Sequence, residues 1–142
     1  MKNTLKILAI AISCAALLLA AGCKKKEPQT AIVNLPSNPT TGYSWKVEQS
    51  NEIFDITQEY TSAQEGDIVG AGGYDTFTLT PRVDGDVSVM FLYGRSWEEE
   101  PESKLVYNLK VDKNMQIKEE SFIGSLPGGL EKLPDIPQLE IK

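Results

Sequence analysis

The residue types that most often catalyse reactions or bind metal ions are scarce in this sequence. It contains no histidine, and its two cysteines are Cys14 and Cys23. Zinc sites are built mainly from cysteine and histidine, and serine or cysteine nucleophiles normally need an imidazole as their base. A pair of carboxylates remains as a route to hydrolysis, but no spacing of the acidic residues singles out such a pair. We therefore expect no enzyme, no metal site and no cofactor.

The charge balance excludes one further class of function. Of the 142 residues, 20 are acidic and 14 are lysine or arginine, which gives a formal net charge of −6 at pH 7. Because lysine and arginine supply most of the non-specific affinity for nucleic acid, we expect no nucleic-acid partner. A chain of this length forms one domain once a targeting segment is removed, and we expect a monomer.

The sequence does offer recognition chemistry, first in a short polar segment near residue 40. Pro39 restricts its own backbone and that of Asn38, while Asn38 and Gly42 favour turn conformations. The segment should therefore be ordered before any partner binds. Its tip, Thr40 and Thr41, is small enough to enter a narrow cleft and carries hydroxyls that can form hydrogen bonds there. The candidate binding residues of this segment are Asn38, Pro39, Thr40, Thr41, Gly42 and Tyr43.

Two later segments also carry residues suited to contact with another protein. They are Gly70, Ala71, Gly72 and Gly73, and then Arg95, Ser96 and Trp97. Glycine lets a partner approach the backbone closely, and arginine and tryptophan are enriched at the energetic centres of interfaces. Simpler readings are a flexible hairpin for the glycines and an edge cap for Trp97. Glu98 to Glu100 together with Glu102 are most simply a solvated acidic rim, and they lack the regular spacing of a calcium loop.

The elements that must position these segments are β-strands. From Thr30 onward apolar residues recur with a period of two, which is typical of half-buried strands. The alternating residues are Tyr43, Trp45 and Val47; Phe77 and Leu79; Val87, Val89, Phe91 and Tyr93; and Leu105, Tyr107, Leu109 and Val111. Turns rich in breakers or polar residues separate these runs. The pattern predicts an all-β fold, namely an immunoglobulin-like β-sandwich of about seven or eight strands.

The C-terminal part of the chain has a different pattern. After a turn at residues 112–114 we expect one more short strand, Met115 to Lys118, which ends a domain spanning residues 30–118. Residues 119–142 form a tail in which apolar residues recur about every three positions, while prolines and glycines forbid a continuous helix. We expect this tail to be extended and to dock on its own domain in preference to a partner, since exposed apolar patches are uncommon.

The N-terminus resembles the signal of a bacterial lipoprotein. Lys2 and Lys6 give a positive start, an apolar stretch follows, and the small residues before Cys23 resemble a lipobox, so residues 1–22 are interpreted as a signal peptide. Cys23 would then be lipidated and residues 23–29 would form a tether. An uncleaved membrane anchor is the alternative, but the apolar run is short and is interrupted by Ser13. We expect an exported protein anchored on the outer face of the cytoplasmic membrane or in the outer membrane.

The three candidate segments, taken together and in order, resemble the inhibitory loops of the chagasin family. The sequence NPTTGYSW at 38–45 is similar to the first loop, GAGG at 70–73 to the second, and RSWE at 95–98 to the third. The resemblance covers about residues 30–111 and leaves the tail unexplained. Ser96 departs from the pattern, because the family usually has proline at this place.

The resemblance implies a function for the domain. It implies a reversible, tight-binding inhibitor of papain-like cysteine peptidases, in which three loops enter the active-site cleft like a wedge and Thr40 lies at the catalytic centre. Such an inhibitor performs no chemistry of its own. The alternative is an immunoglobulin-like adhesion or assembly lipoprotein that uses the same loops on another protein.

Overall fold

Eight β-strands make up the greater part of residues 25–63, 72–125 and 137–142, which are the residues described by the computed structural model. The strands are β1 (Ala31–Ser37), β2 (Tyr43–Gln49), β3 (Phe54–Ser62), β4 (Gly73–Pro81), β5 (Gly85–Arg95), β6 (Ser103–Val111), β7 (Ile117–Ser125) and β8 (Glu140–Ile141). A single 3-10 turn, Pro39–Thr41, lies between β1 and β2. No helix in the described part of the chain is long and apolar enough to cross a membrane.

The strands form two sheets of four strands each. One sheet has the order β3-β4-β1-β8 and the other has the order β2-β5-β6-β7. Every pairing between neighbouring strands is antiparallel. Because β1 and β2 follow each other in the chain but belong to different sheets, the loop between them crosses from one sheet to the other. The predicted all-β, immunoglobulin-like sandwich is confirmed.

The core lies between the two sheets and is built from the residues that alternate along the strands. On β4, for example, Phe77 and Leu79 are fully buried, while Thr78 between them is partly exposed. The ring of Phe77 meets that of Phe91 from the opposite sheet edge-on, with 4.9 Å between ring centroids, and Phe91 meets Tyr107 in the same way at 5.8 Å. Such edge-on aromatic contacts add to the apolar area that each ring buries.

The C-terminal strands differ from the expectation in length. The structure starts β7 at Ile117 and continues it to Ser125, so the last predicted strand is longer than Met115 to Lys118 and the proposed boundary at residue 119 falls inside it. Pairing with β6 explains the extension, because the backbone of Lys104 to Val111 offers a complete edge to which residues 117–125 can bond. The sequence signal was weak here because the four residues of β7 that follow Ile117 are all charged or polar.

The described end of the tail docks on its own domain, as predicted. Glu140 and Ile141 pair with Ile32 and Ala31 at the start of β1. The Tyr107 hydroxyl donates a hydrogen bond to the Pro137 carbonyl oxygen at 2.7 Å, and burial raises the pKa of this phenol well above its ordinary value. The neutral hydroxyl therefore holds the tail on β6. Residues 126–136 lie outside the described part of the chain.

The core position of Trp45 gives a test of the strand phase. Its side chain is 5% exposed and its indole Nε1 donates a hydrogen bond to the Pro36 carbonyl oxygen at 2.8 Å. Replacing Trp45 with alanine should lower the free energy of unfolding by about 3 to 5 kcal/mol, because it leaves a cavity and removes this bond. Lys46→Ala, on the exposed face of the same strand, is the matched control and should change stability little. Equal urea midpoints for both variants would contradict the assigned core.

Candidate functional site

Strand pairing brings the three candidate loops to one end of the sandwich, which we call the loop pole. Ser37, the last residue of β1, lies opposite Gly73, the first residue of β4. In the other sheet Tyr43, which begins β2, lies opposite Arg95, which ends β5. Loop 1 (residues 38–42), loop 2 (ending at Gly72) and loop 3 (residues 95–97) therefore all start or finish here. Of the predicted site residues, Gly70, Ala71 and Cys23 lie outside the described residues.

Loop 1 is a compact turn held by its own hydrogen bonds. The backbone N–H groups of Thr41 and Gly42 donate to the carbonyl oxygens of Asn38 and Pro39, each at 3.1 Å. The Thr41 hydroxyl also donates to the Asn38 carbonyl oxygen at 2.6 Å, and the Thr40 hydroxyl donates to the Asn38 side-chain oxygen at 2.7 Å. Pro39 and the two threonines are exposed. The sequence-based expectation of an ordered, polar tip agrees with this geometry.

Gly42 ends loop 1 in a conformation that favours glycine. Its φ is 82°, in the left-handed region. The ring of Trp97 lies over it so closely that a Cβ atom at position 42 would be 2.8 Å from Cη2 of the indole. A side chain at this position would therefore strain the backbone and displace Trp97. Gly42 thus couples loop 1 to loop 3.

A stack of aromatic rings and one guanidinium group connects the core to loop 3. The centroids of Trp45 and Tyr93 are 4.8 Å apart, and Tyr93 stacks on Tyr43 at 5.2 Å. The Arg95 guanidinium lies 4.4 Å from the centre of the Tyr43 ring and 5.7 Å from that of Trp97. Such cation–π contacts are attractive and orient the guanidinium. We call these five side chains the aromatic stack. Trp97, at its outer end, is 69% exposed.

Loop 3 is closed by bonds on both sides of Ser96. The Glu98 N–H donates to the Arg95 carbonyl oxygen at 3.1 Å, which makes residues 95–98 a β-turn, and an ion pair of 3.5 Å joins the side chains of the same two residues. Farther along, the Glu102 N–H donates to the Tyr93 carbonyl oxygen at 2.8 Å. Ser96 occupies the second position of the turn, where proline is favoured. The turn therefore forms without the proline.

Glu102 is a residue of this site that the sequence did not single out. Its carboxylate accepts a hydrogen bond from the Tyr43 hydroxyl, and this bond is the main reason why the pKa of the phenol is raised; the nearby Arg95 acts in the opposite direction. Tyr43 thus contacts the Tyr93 ring and the Arg95 guanidinium, and its hydroxyl bonds to the Glu102 carboxylate. From the sequence alone, Glu102 belongs only to the solvated acidic rim, because its spacing does not distinguish it from the other glutamates there.

The described part of loop 2 shows why glycine is needed at position 73. Gly73 is buried between β1 and β3, and a Cβ atom there would collide with the Thr61 carbonyl oxygen and lie 2.7 Å from the Tyr60 hydroxyl. This glycine is therefore required by the packing of the chain itself. Gly72 is partly exposed, and a Cβ atom at this position would meet only ordinary van der Waals contact. The predicted close approach by a partner therefore stays a prediction for Gly72, whereas Gly73 is buried.

The interior below the loops is more polar than the rest of the core. Ser37, Asp75 and Ser103 are its buried polar residues, and the Gln58 side chain donates a hydrogen bond to the Asp75 carboxylate at 3.0 Å. The signal in the sequence is the position of Asp75, which is in phase with Phe77 and Leu79. Within the described ranges there is no group of three or more histidine, cysteine, aspartate or glutamate side chains arranged to hold a metal ion.

The part of the chain that matches a known family contains strands β1 to β6. Residues 25–111 match the family described as chagasin family peptidase inhibitor I42, and this match covers more than half of the chain. The chain belongs to the chagasin family. Members of this family are protease inhibitors and not enzymes, which supports the expectation that the chain has no catalytic activity. The match ends at Val111, the last residue of β6, so β7 and β8 lie outside the matched residues.

Individual members of the chagasin family are similar to this chain in sequence and in structure. Amoebiasin-2 of Entamoeba histolytica is 29% identical over 83 residues, which are 56% of this chain and 68% of amoebiasin-2. Chagasin of Trypanosoma cruzi is 32% identical over 71 residues, covering 46% of this chain and 64% of chagasin. The crystal structure of a cysteine protease inhibitor from Entamoeba histolytica superimposes with a TM-score of 0.51 at 26% identity, covering 57% of this chain and 77% of that protein.

The contact between Gly42 and Trp97 can be tested by adding a single methyl group. Gly42→Ala should lower the free energy of unfolding by about 1 to 2 kcal/mol because of its left-handed backbone, and should shift the indole N–H resonance of Trp97. Gly72→Ala is the control and should affect neither quantity. Urea unfolding and two-dimensional NMR give the two measurements. Identical stability and an unmoved Trp97 resonance in Gly42→Ala would show that loops 1 and 3 are not in contact.

Proposed function

We propose that this chain inhibits papain-like cysteine peptidases reversibly, by inserting the loop pole into their active-site cleft. The observation that carries the proposal is the preordered arrangement of loop 1 and loop 3 at one pole, in contact with each other through Gly42 and Trp97. A rigid binding surface loses little conformational entropy on association, so more of its contact energy contributes to affinity. The chagasin family provides the class of partner.

Loop 1 is the part suited to the narrowest region of a cleft. Its tip consists of Pro39, Thr40 and Thr41, which are exposed and carry no charge. The hydroxyl proton of Thr40 is used by Asn38, but the oxygen can still accept a hydrogen bond from a donor of the peptidase. Because the turn is closed by hydrogen bonds within residues 38–42, it can enter the cleft without presenting an extended peptide bond for cleavage.

Loop 3 is suited to contact beside the cleft. The exposed indole of Trp97 offers a flat apolar surface, and its orientation is fixed from below by Gly42 and by Arg95. Tryptophan in such a position is the residue type that most often contributes strongly at protein interfaces. Loop 2 would supply backbone contacts at Gly72. It belongs to the sheet that contains β1 and β4, whereas loop 3 belongs to the other sheet.

We further propose that the protein acts outside the cytoplasm while anchored to a membrane by lipid on Cys23. The support comes from the lipoprotein-like signal at residues 1–23. Two or three acyl chains would hold the protein firmly, since each buried methylene contributes about 0.8 kcal/mol. With Cys14 removed and Cys23 modified, the mature protein would contain no free thiol and no disulfide.

Substitutions of Thr40 test the insertion of loop 1. Thr40→Ala should weaken inhibition of papain by about 0.5 to 3 kcal/mol, through loss of a hydrogen bond in the cleft and of the bond to Asn38. Thr40→Arg should weaken it further, because an unpaired cation would be buried in a narrow site. Both should act mainly through faster dissociation, which inhibition progress curves measure.

The matched control is Thr57→Arg, which places the same side chain on the exposed face of β3, away from the loop pole. It should inhibit papain as the unmodified chain does. Circular dichroism should show equal folding for all of these variants. If Thr40→Arg inhibits as tightly as the unmodified chain, loop 1 does not enter the active site and the proposed mechanism is wrong.

Restoring the usual proline at position 96 tests the role of rigidity in loop 3. Ser96→Pro should tighten inhibition by about 0.4 to 1 kcal/mol, because the turn at residues 95–98 already has the form that proline favours and the free loop would lose fewer conformations on binding. Ser96→Ala separates removal of the hydroxyl from addition of the ring. Inhibition constants for papain provide the measurement, and weaker inhibition by Ser96→Pro would show that loop 3 must adapt to its target.

A further inference from the structure

The segment that precedes β1 is fixed to the end of the sandwich opposite the loops. The Gln29 N–H donates to the Met115 carbonyl oxygen at 3.0 Å, and the Gln29 side-chain oxygen accepts from the Ile117 N–H at 2.8 Å. Thr30 and Lys142 exchange two backbone hydrogen bonds, each of 2.9 Å. We call this end, formed by residues 27–30, the turn 112–116 and Lys142, the tether pole.

The turn that receives the tether is itself well ordered. The Asp112 carboxylate accepts hydrogen bonds from the N–H groups of Asn114 and Gln116 at 2.8 and 2.9 Å. The side chain of Gln116 in turn donates to the Glu27 carbonyl oxygen at 2.7 Å. The fixed part of the chain therefore begins at Glu27, four residues after Cys23. Four residues span at most about 14 Å, so a lipid on Cys23 would hold the tether pole close to the bilayer surface.

Strand β1 sets the distance from this pole to the loops. It runs from Ala31 at the tether pole to Ser37 at the loop pole, and seven residues of strand span about 20 Å. Charge favours the same arrangement. Lys25 and Lys26 are exposed beside the tether pole, where Lys113 and Lys142 are balanced by the exposed acids Glu27, Asp112 and Glu140, whereas exposed glutamates at residues 98–100 and 102 flank loop 3. Anionic headgroups attract Lys25 and Lys26 next to the anchor and repel the glutamates at residues 98–100 and 102.

From this geometry we infer that the tether pole is a membrane-contact surface for anionic phospholipid headgroups, on which the domain stands with its loops directed away from the bilayer. This inference rests on the proposed lipidation and deepens the proposed function. The anchored inhibitor captures peptidases that arrive from the aqueous phase, because no part of the loop pole is covered by the membrane. Its targets need no membrane association of their own.

The test uses the full chain, produced with its signal in a bacterium and reconstituted in vesicles of phosphatidylethanolamine and phosphatidylglycerol. Single cysteines for a fluorescent dye are introduced by Lys113→Cys at the tether pole, Ala63→Cys at the loop pole and Lys104→Cys on the exposed sheet face. All three positions are exposed. Nitroxide-labelled headgroups quench only dyes that are near them.

We expect the dye at position 113 to lose about half of its emission, because the short tether keeps it within reach of the headgroups, while the dyes at positions 63 and 104 keep theirs. Strong quenching at position 104 would mean that the sheet face lies on the membrane, and strong quenching at position 63 would mean that the loops do. Either result overturns the inference, as does full emission from the dye at position 113.

Two controls separate this inference from the proposals on which it rests. Cys23→Ser should abolish the incorporation of radiolabelled palmitate, and incorporation by this variant equal to that of the unmodified chain would refute the lipid anchor and the inference with it. Papain inhibition is then measured on the same vesicles. Quenching as expected without inhibition would refute the proposed function but support the orientation. Inhibition together with strong quenching at position 104 would support the proposed function but refute the orientation.

Discussion

The aromatic stack is the interaction on which the functional end of this protein depends. Tyr93 lies between Trp45, which belongs to the core, and Tyr43, which begins the strand after loop 1. Arg95 continues the stack outward and orients Trp97, which covers Gly42. The pairing of β2 with β5 brings these side chains together, because residues 43 and 95 are opposite one another in that register. The stacked rings therefore connect loops 1 and 3 to the hydrophobic core, and the core fixes where the two loops lie.

The loops remain ordered because their polar groups are satisfied locally. In loop 1 the hydroxyls of Thr40 and Thr41 bond to Asn38, and in loop 3 the turn at residues 95–98 closes with both a backbone bond and an ion pair. The ion pair is partly exposed and 3.5 Å long, so it contributes little by itself. Its role together with the stack is to limit the conformations of Arg95. Order of this kind compensates for serine at position 96, where proline would have fixed the backbone directly.

The two ends of the sandwich differ in composition and in the segments that they contain. The loop pole contains the exposed residues proposed for peptidase binding, above an interior that includes Asp75 and two serines. The tether pole collects the N-terminal segment, the turn 112–116 and the C-terminal residues, joined by hydrogen bonds. Strands β7 and β8 lie outside the residues that match the chagasin family, and β8 pairs with Ala31 and Ile32, which begin β1. The pairing of β8 with β1 therefore helps to fix the segment before β1, at the end of the sandwich opposite the loops.

The sequence by itself determined the fold class, the inward-facing residues and the turns between strands, because period-two alternation and turn-forming residues are local properties that each strand or turn displays alone. Phe77, Phe91 and Tyr107 are buried as their phase predicted. Tertiary structure alone decided the length of β7, the demand for glycine at position 73 and the part played by Glu102. Each of these depends on a neighbour distant in the chain, namely the edge of β6, the Tyr60 side chain and the Tyr43 hydroxyl. Contacts of this kind leave no periodic signal in the sequence, since only the pairing of strands brings the two partners together.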